Sequence, residues 1–189
     1  MKRLEINYSL QSMDVLVSLA RYNFVNKTIT DKTMRVLDYG CGSGYGTRVL
    51  CEKFLDVVSF DTYPDNYFPK DIQVVTDESK LSNQKFNVVT CFEVIEHLQE
   101  NEQLKLIHKM ADYLQPSGTL FISTVRKMDP PPTENRRLYH LNELTFYELY
   151  NLCSSSFRNI YVFGQIDQVI STFNTDNHYH FVFICTGKK

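Results

Sequence analysis

The chain has 189 residues, 43% of them hydrophobic and 22% charged, with a formal net charge of −2. That length and balance suit one globular domain whose core needs no covalent staples. The near-neutral charge gives no global field toward nucleic acid or membrane, no stretch approaches the ~20 apolar residues of a membrane span, and five cysteines without a CxxC indicate neither a disulfide framework nor a zinc knuckle.

The start, MKRLEINYSL, lacks the continuous apolar core of a secretory signal. Unpaired cysteines favour a reducing compartment, so a cytoplasmic location is expected. Residues 9–27 place Leu10, Met13, Val17, Ala20 and Phe24 at helical spacing. Strands and helices then alternate. Arg35–Tyr39 reads as a short buried strand, followed by a glycine turn and a helix over 45–54. Val57–Phe60 is a second strand, ending at Asp61. The loop DTYPDNYFPKD carries Pro64 and Pro69 and should be irregular. Ile72–Val75, Phe86–Cys91 and Thr119–Ser123 supply three more strands. Between the last two, Leu104, Ile107, Ala111 and Leu114 share one helix face over 100–114. The stretch QPSG should break that helix.

Such β-α-β alternation favours parallel strands with right-handed crossovers. The tail differs. Thr145 and Glu148 form a capping box, which predicts a helix start near Thr145. Asn159–Phe163 and His178–Cys185 then follow as two strands without a helix between them. One of them must run antiparallel, so the sheet is mixed. His178 and His180 alternate with Tyr179 and Phe181, which suggests the solvent face of a strand.

The segment VLDYGCGSGYG places Gly at 40, 42, 44 and 46 directly after the first strand. Glycine permits positive φ and lets a ligand approach bare main chain. The P-loop pattern GxxxxGK[ST] is absent, and so is the dinucleotide pattern GxGxxG. Asp38 stands beside the turn, where it would repel a pyrophosphate but could serve a cation. Asp61 and Asp77 repeat the arrangement after the second and third strands, and an acidic residue there can accept from ribose hydroxyls. Asp also favours loop starts for local reasons. All three around one turn describe a ligand with a ribose, a cation and no phosphate, as in S-adenosylmethionine.

At this point the sequence resembles the class I S-adenosylmethionine-dependent methyltransferases over nearly its whole length. VLDYGCGSGYG is similar to their first motif, and FNVVTCFEVIEHL to the fourth-strand motif of the ubiquinone-biosynthesis O-methyltransferase subgroup. LQPSGTLFIST resembles the segment along their fifth strand, with Ser117 where a glycine is common. RYNFV, YHLNELTFYEL and FRNIYVFGQ resemble small bacterial or phage members linked to glycan modification. The resemblance implies an α/β fold, a Rossmann-like doubly wound seven-stranded mixed sheet of order 3-2-1-4-5-7-6 with strand 7 antiparallel. It implies a single domain over 1–189, with the helix near 9–27 as a lid and the 125–140 loop facing substrate. The cofactor would be S-adenosyl-L-methionine. Gly40, Cys41, Gly42 and Gly44 would line it, and Asp38 would order its methionine end. Asp61 and Thr62 would meet the ribose, Asp77 and Glu78 the adenine, and Cys91 and Phe92 would flank it.

Methyl transfer to oxygen is an in-line displacement in which a base must take the acceptor proton. His97 and His140 are the candidate bases, with Glu93 beside them; an imidazole has a suitable ordinary pKa. Acids in FEVIEHL could equally serve a helix start. Glu93, Glu96, His97 and His140 could together bind a divalent metal, as in small-RNA 3′-terminal 2′-O-methyltransferases. Metal-free relatives carry similar strings, so no metal is expected. Arg126, Lys127, Arg136 and Arg137 outnumber Asp129 and Glu134 in the 125–140 loop, which could hold a phosphorylated acceptor. The expected acceptor is a small molecule or glycan such as a nucleotide-linked sugar. An RNA end, or a silent binding module that keeps the fold, are the alternatives.

Overall fold

The computed structural model describes residues 13–64, 68–172 and 178–189. Residues 9–12 of the expected first helix lie outside that set. Helix α1 spans Met13–Thr28. The chain continues through β1 (Arg35–Tyr39), α2 (Tyr45–Cys51), β2 (Asp56–Phe60), β3 (Val74–Val75), β4 (Phe86–Phe92), α3 (Glu100–Tyr113) and β5 (Leu114–Val125). Two helices follow, α4 (Glu134–Tyr139) and α5 (Phe146–Ser156), then β6 (Phe157–Ile166), β7 (Val169–Thr172) and β8 (His180–Lys188). The stretch 125–140, expected to be a loop, thus contains a short helix. Among the described residues no helix is long and apolar enough to cross a membrane.

All strands join one sheet in the order β3-β2-β1-β4-β5-β8-β6-β7. The first five in that order run parallel, and β8 runs antiparallel to both β5 and β6. This is the expected Rossmann-like mixed sheet with one strand added. The addition is β7, which pairs with β6 as a hairpin. Asp167 closes its turn at φ 49°, a region that Asp tolerates better than most residues. The sequence QPSG does end α3, but the chain enters β5 at once, and the register slips between Phe86↔Leu114 and Val88↔Thr119.

Helices cover both faces. Against one, α1, α2 and the turn after it bury Tyr22, Val25, Leu50 and Phe54 on Val88 and Phe121. Against the other, α3 and α5 bury Leu106, Ile107, Met110 and Leu149 on Leu37 and Phe183. Each such side chain contributes about 1.5–3 kcal/mol by leaving water. Leu104, expected on the buried face of α3, is 40% exposed; Gln103 and Leu106 face inward instead. Thr145 caps α5 as predicted, its backbone N–H donating to Glu148 at 2.7 Å while its hydroxyl accepts from the Glu148 N–H at 3.3 Å. β8 is packed on both faces, Phe181 and Phe183 toward α3 and α5 and Ile184 toward α1 and α2, so its residues are not half solvated. Phe181 and Val182 are both buried, and His178 and His180 turn inward rather than lining a solvent face.

Strand alternation on β1 sends Tyr39 toward α3 and Asp38 toward α1 and α2. Asp38 has no exposure. Its Oδ2 accepts from the Thr47 hydroxyl at 2.6 Å, and its Oδ1 from the hydroxyls of Thr90 at 2.8 Å and Tyr22 at 3.3 Å. Burial pushes its carboxyl up to about 6, against the pull of those three hydroxyls. Above the carboxylate the chain turns through Gly40, Gly42 and Gly44 at φ 81°, 55° and 78°. The fourth glycine serves packing, since a Cβ at Gly46 would lie 1.9 Å from the Tyr22 ring.

Two outcomes follow from this turn. Gly46→Ala should lower stability by ~1–3 kcal/mol in chemical denaturation, because overpacking against Tyr22 outweighs alanine's better helix propensity. Asp38 keeps its proton to a higher pH when folded than when unfolded, so its contribution is full below about pH 4 and is lost as pH rises through about 6. Urea unfolding at pH 4 and pH 6.5 should show the wild type losing up to about 3 kcal/mol more than Asp38→Asn across that window.

Candidate active site

The glycine turn is pinned to the end of β2. Gly40 and Cys41 donate their N–H groups to the Phe60 carbonyl at 2.8 and 3.0 Å. Gly42 donates to Asp61 Oδ2 at 2.9 Å, and Tyr63 to Asp61 Oδ1 at 2.8 Å. A Cβ at Gly40 would strike Val94 at 2.4 Å, and one at Gly44 would strike Phe68 at 2.5 Å. At Gly42 nothing lies within 4 Å. The turn is therefore closed by packing at two glycines and open at the one beside Asp61. That combination fits a ligand whose ribose meets a carboxylate and whose chain crosses bare backbone.

The other expected cofactor residues are more scattered. Thr62 is exposed immediately after Asp61. Asp77 caps the 3-10 turn Glu78–Leu81, accepting from the Ser79 N–H at 3.0 Å and its hydroxyl at 2.7 Å, which holds its carboxyl below the usual range. Glu78 turns to the α3 face and accepts from Tyr39, Tyr113 and Lys109. Cys91 and Phe92 end β4 on opposite faces. The Cys91 side chain lies in the α3-side core, so only its main chain is left for a ligand; Phe92 packs edge-on against Tyr22, 5.0 Å between centroids. Asp38 reaches no surface and acts on the turn from beneath.

Beyond β4 the second half of the site forms. Glu93 takes φ 55°, rare for a non-glycine residue and a common mark of functional sites. Its Oε1 accepts from the Ser123 hydroxyl at 2.7 Å and faces Arg21 at 3.9 Å, while Oε2 faces His180 Nε2 at 3.6 Å. Burial would raise this carboxyl, but Arg21, then His180, outweigh it and hold it below the usual range. Burial and the neighbouring Glu93 charge push Glu96 the other way, well up. One Glu96 oxygen accepts from the Thr124 hydroxyl at 2.9 Å; the other, Oε1, is buried without a partner. Burial also lowers the His180 imidazole.

His97 and His140 pack edge to face, 5.0 Å between ring centroids. His97 Nδ1 donates to the Tyr139 carbonyl at 2.8 Å, and His140 Nδ1 donates to Glu143 at 2.7 Å. Each bond leaves Nε2 as the ring's lone-pair nitrogen. Glu96, His97 and His140 offer ligand atoms within 4.8 Å of one another. Gln103 holds the two chain segments together, donating to the Ile95 and Asn142 carbonyls at 3.0 and 2.7 Å. The basic loop is less available than its sequence suggested. Arg136 is committed to Glu143 and to the Arg126 carbonyl, and the Arg137 side chain lies outside the described residues. Sequence reading also missed Arg21, Tyr22, His180 and Gln103 as site residues. The helical spacing put the apolar stripe of α1 at Met13, Val17, Ala20 and Phe24, whereas the fold buries Val15, Arg21, Tyr22 and Val25; no signal in the sequence marked the others.

Residues 15–162 match a family model described as a methyltransferase domain. The chain is 28% identical over 128 residues to a ubiquinone biosynthesis O-methyltransferase of Coxiella burnetii, covering 59% of this chain and 52% of that protein. It thus spans about half the length of the curated relatives it matches. A crystal structure of a SAM dependent methyltransferase from Archaeoglobus fulgidus superimposes with TM-score 0.69 at 15% identity, covering 94% of this chain and 95% of the other. The Burkholderia thailandensis 1,6-didemethyltoxoflavin-N1-methyltransferase, solved with S-adenosylhomocysteine, gives 0.67 at 15% identity, covering 94% and 78%. With its glycine turn, mixed sheet and matched domain, the chain belongs to the class I S-adenosylmethionine-dependent methyltransferases.

Proposed function

We propose that the chain transfers a methyl group from S-adenosylmethionine to an oxygen of a small-molecule or glycan-type acceptor, in the cytoplasm. The observation that carries the acceptor side is the orientation of His97 and His140. Both donate through Nδ1 in the tautomer whose Nε2 accepts a proton, and Glu93 follows the end of β4 with its backbone at positive φ. The cofactor, when bound, supplies an electrophilic methyl on a sulfonium. Gly40, Cys41, Gly42 and Gly44 would line it, with Asp61 and Thr62 at the ribose, Asp77 and Glu78 at the adenine end, and Phe92 and the Cys91 main chain at the reacting end. Nε2 of His97 or His140 takes the hydroxyl proton as the acceptor oxygen attacks, and Glu93 holds the acceptor in line. The relatives named as O-methyltransferases support oxygen as the target. The net charge of −2 favours a small acceptor over nucleic acid.

A second reading has one observation in its favour. Glu96, whose Oε1 is unpartnered, offers a carboxylate oxygen close to ligand atoms of His97 and His140, a donor set that suits a divalent cation, and both imidazoles carry the outer Nδ1 bonds typical of metal ligands. Such an ion would draw the acceptor toward an RNA terminus.

Asp61→Ala should weaken S-adenosylmethionine binding at least tenfold by calorimetry, about 1.4 kcal/mol; unchanged affinity removes the ribose from Asp61. A screen of labelled methyl transfer to nucleotide sugars, polyhydroxylated small molecules and short RNAs tests the acceptor, and turnover on none of them would favour the silent module. Activity that survives exhaustive chelation eliminates the metal.

A further inference from the structure

Gln103 is a polar side chain in the otherwise apolar stripe of α3. It shares that stripe with Leu106, Ile107, Met110 and Ala111 and is only 1% exposed. An amide taken out of water is costly unless its hydrogen bonds are remade. Here they are remade on two chain segments. The Nε2 group donates to the Ile95 carbonyl at 3.0 Å and to the Asn142 carbonyl at 2.7 Å, and Oε1 accepts from Asn142 Nδ2 at 2.9 Å. Two carbonyls on one side and an NH2 group on the other leave the amide one orientation. The Asn142 N–H adds a fourth bond across the same seam, to the Glu96 carbonyl at 3.1 Å.

Those segments carry the two histidines. Ile95 opens the 3-10 turn that ends at His97, and Asn142 lies two residues past His140. The bond from His97 Nδ1 to the Tyr139 carbonyl, at 2.8 Å, also crosses the seam. A carbonyl can only accept. The ring therefore carries its proton at Nδ1 as long as the Tyr139 carbonyl is held in place. His140 differs, because its Nδ1 donates to Glu143 three residues on, within its own segment. An apolar side chain at position 103 would continue the stripe and make none of these bonds.

We propose that Gln103 is a positioning residue for the histidine half of the site: its amide, locked by Asn142, clamps the Ile95–His97 turn to the segment after α4 and so fixes His97 in the tautomer whose Nε2 can take a proton. The assignment rests on the proton-transfer role given to His97 above. Gln103 acts through the Tyr139 carbonyl and needs no contact with either substrate.

The test reads tautomers, so no acceptor is required. The full chain is labelled with nitrogen-15 at histidine and treated with chelator, so that no metal holds the rings. Long-range proton–nitrogen NMR is recorded at about pH 8, where an ordinary imidazole is neutral. In wild type, His97 should hold its Nδ1–H form in about tenfold excess, of the order that one hydrogen bond sustains. Gln103→Met should bring that excess below about threefold, while His140, whose bond is local, keeps its Nδ1–H form. S-adenosylhomocysteine should bind this variant within about twofold of wild type, because the glycine turn is untouched. Met110→Ala opens a cavity on the same helix face; it should lose stability and leave His97 as in wild type. The double variant Gln103→Met/Asn142→Leu should be no worse than Gln103→Met, since both residues serve one clamp.

A wild-type His97 without the excess overturns the proposal, as does an unchanged His97 in folded Gln103→Met. A parallel loss at His140, in Met110→Ala or in S-adenosylhomocysteine affinity overturns it too, because the effect would then be general loosening. If Gln103→Met does not fold, Gln103→Asn carries the tautomer measurement, its amide being one methylene short of bridging Ile95 and Asn142; an unchanged His97 there is decisive against the clamp. Tautomers that shift as expected in a protein that methylates no acceptor would instead refute the proposed transfer and leave the clamp standing, a separate failure.

Discussion

A carboxylate sealed beneath a glycine turn organises this molecule. Asp38 is removed from water and satisfied by three hydroxyls, each from a different element: Tyr22 of α1, Thr47 of α2 and Thr90 of β4. A buried acid without those partners would be costly. With them it becomes a joint that fixes the first helix, the helix after the turn and the adjacent strand against β1. The raised proton affinity of Asp38 is the residue of that burial, the part the hydroxyls do not offset.

The site on top of this joint has two halves of opposite character. The half at the turn is backbone and carboxylate: glycines at positive φ, with Asp61 bonded to the Gly42 N–H. Charge and imidazole make up the other half, with Glu93 and Glu96 pushed apart in proton affinity by their surroundings. Glu93 sees Arg21 and His180, whereas Glu96 is raised by its own burial and by the Glu93 charge, against the pull of the Thr124 hydroxyl. Neighbouring carboxyls cannot both ionise cheaply in a dry site, so one carries the charge and the other tends to keep its proton. The imidazoles of His97 and His140 are fixed by bonds from Nδ1, which leaves their chemistry at Nε2.

Local chemistry made much of this legible. The alternating elements, the turn and the Thr145 capping box depend on neighbours a few residues apart, and they stand where the sequence placed them. The misreadings share one cause. Whether a residue is buried depends on which elements pack beside it, and periodicity does not report that. His178 and His180 looked solvated because they alternate with aromatic residues, yet the sheet is covered there on both faces, Phe181 and Phe183 packing on one side of β8 and Ile184 on the other. Leu104 looked buried and is not. Arg136 looked available as a phosphate ligand, and the fold pairs it with Glu143.

From the sequence alone came the family of the cofactor and the class of the fold, because strand–turn–helix chemistry is written in contiguous residues. Only the tertiary structure brought Arg21, Glu93 and His180 together from α1, the end of β4 and the start of β8. Only it set the two imidazoles edge to face. Contacts across such distances along the chain are decided by how helices and strands stack, and no short-range pattern in the sequence encodes them.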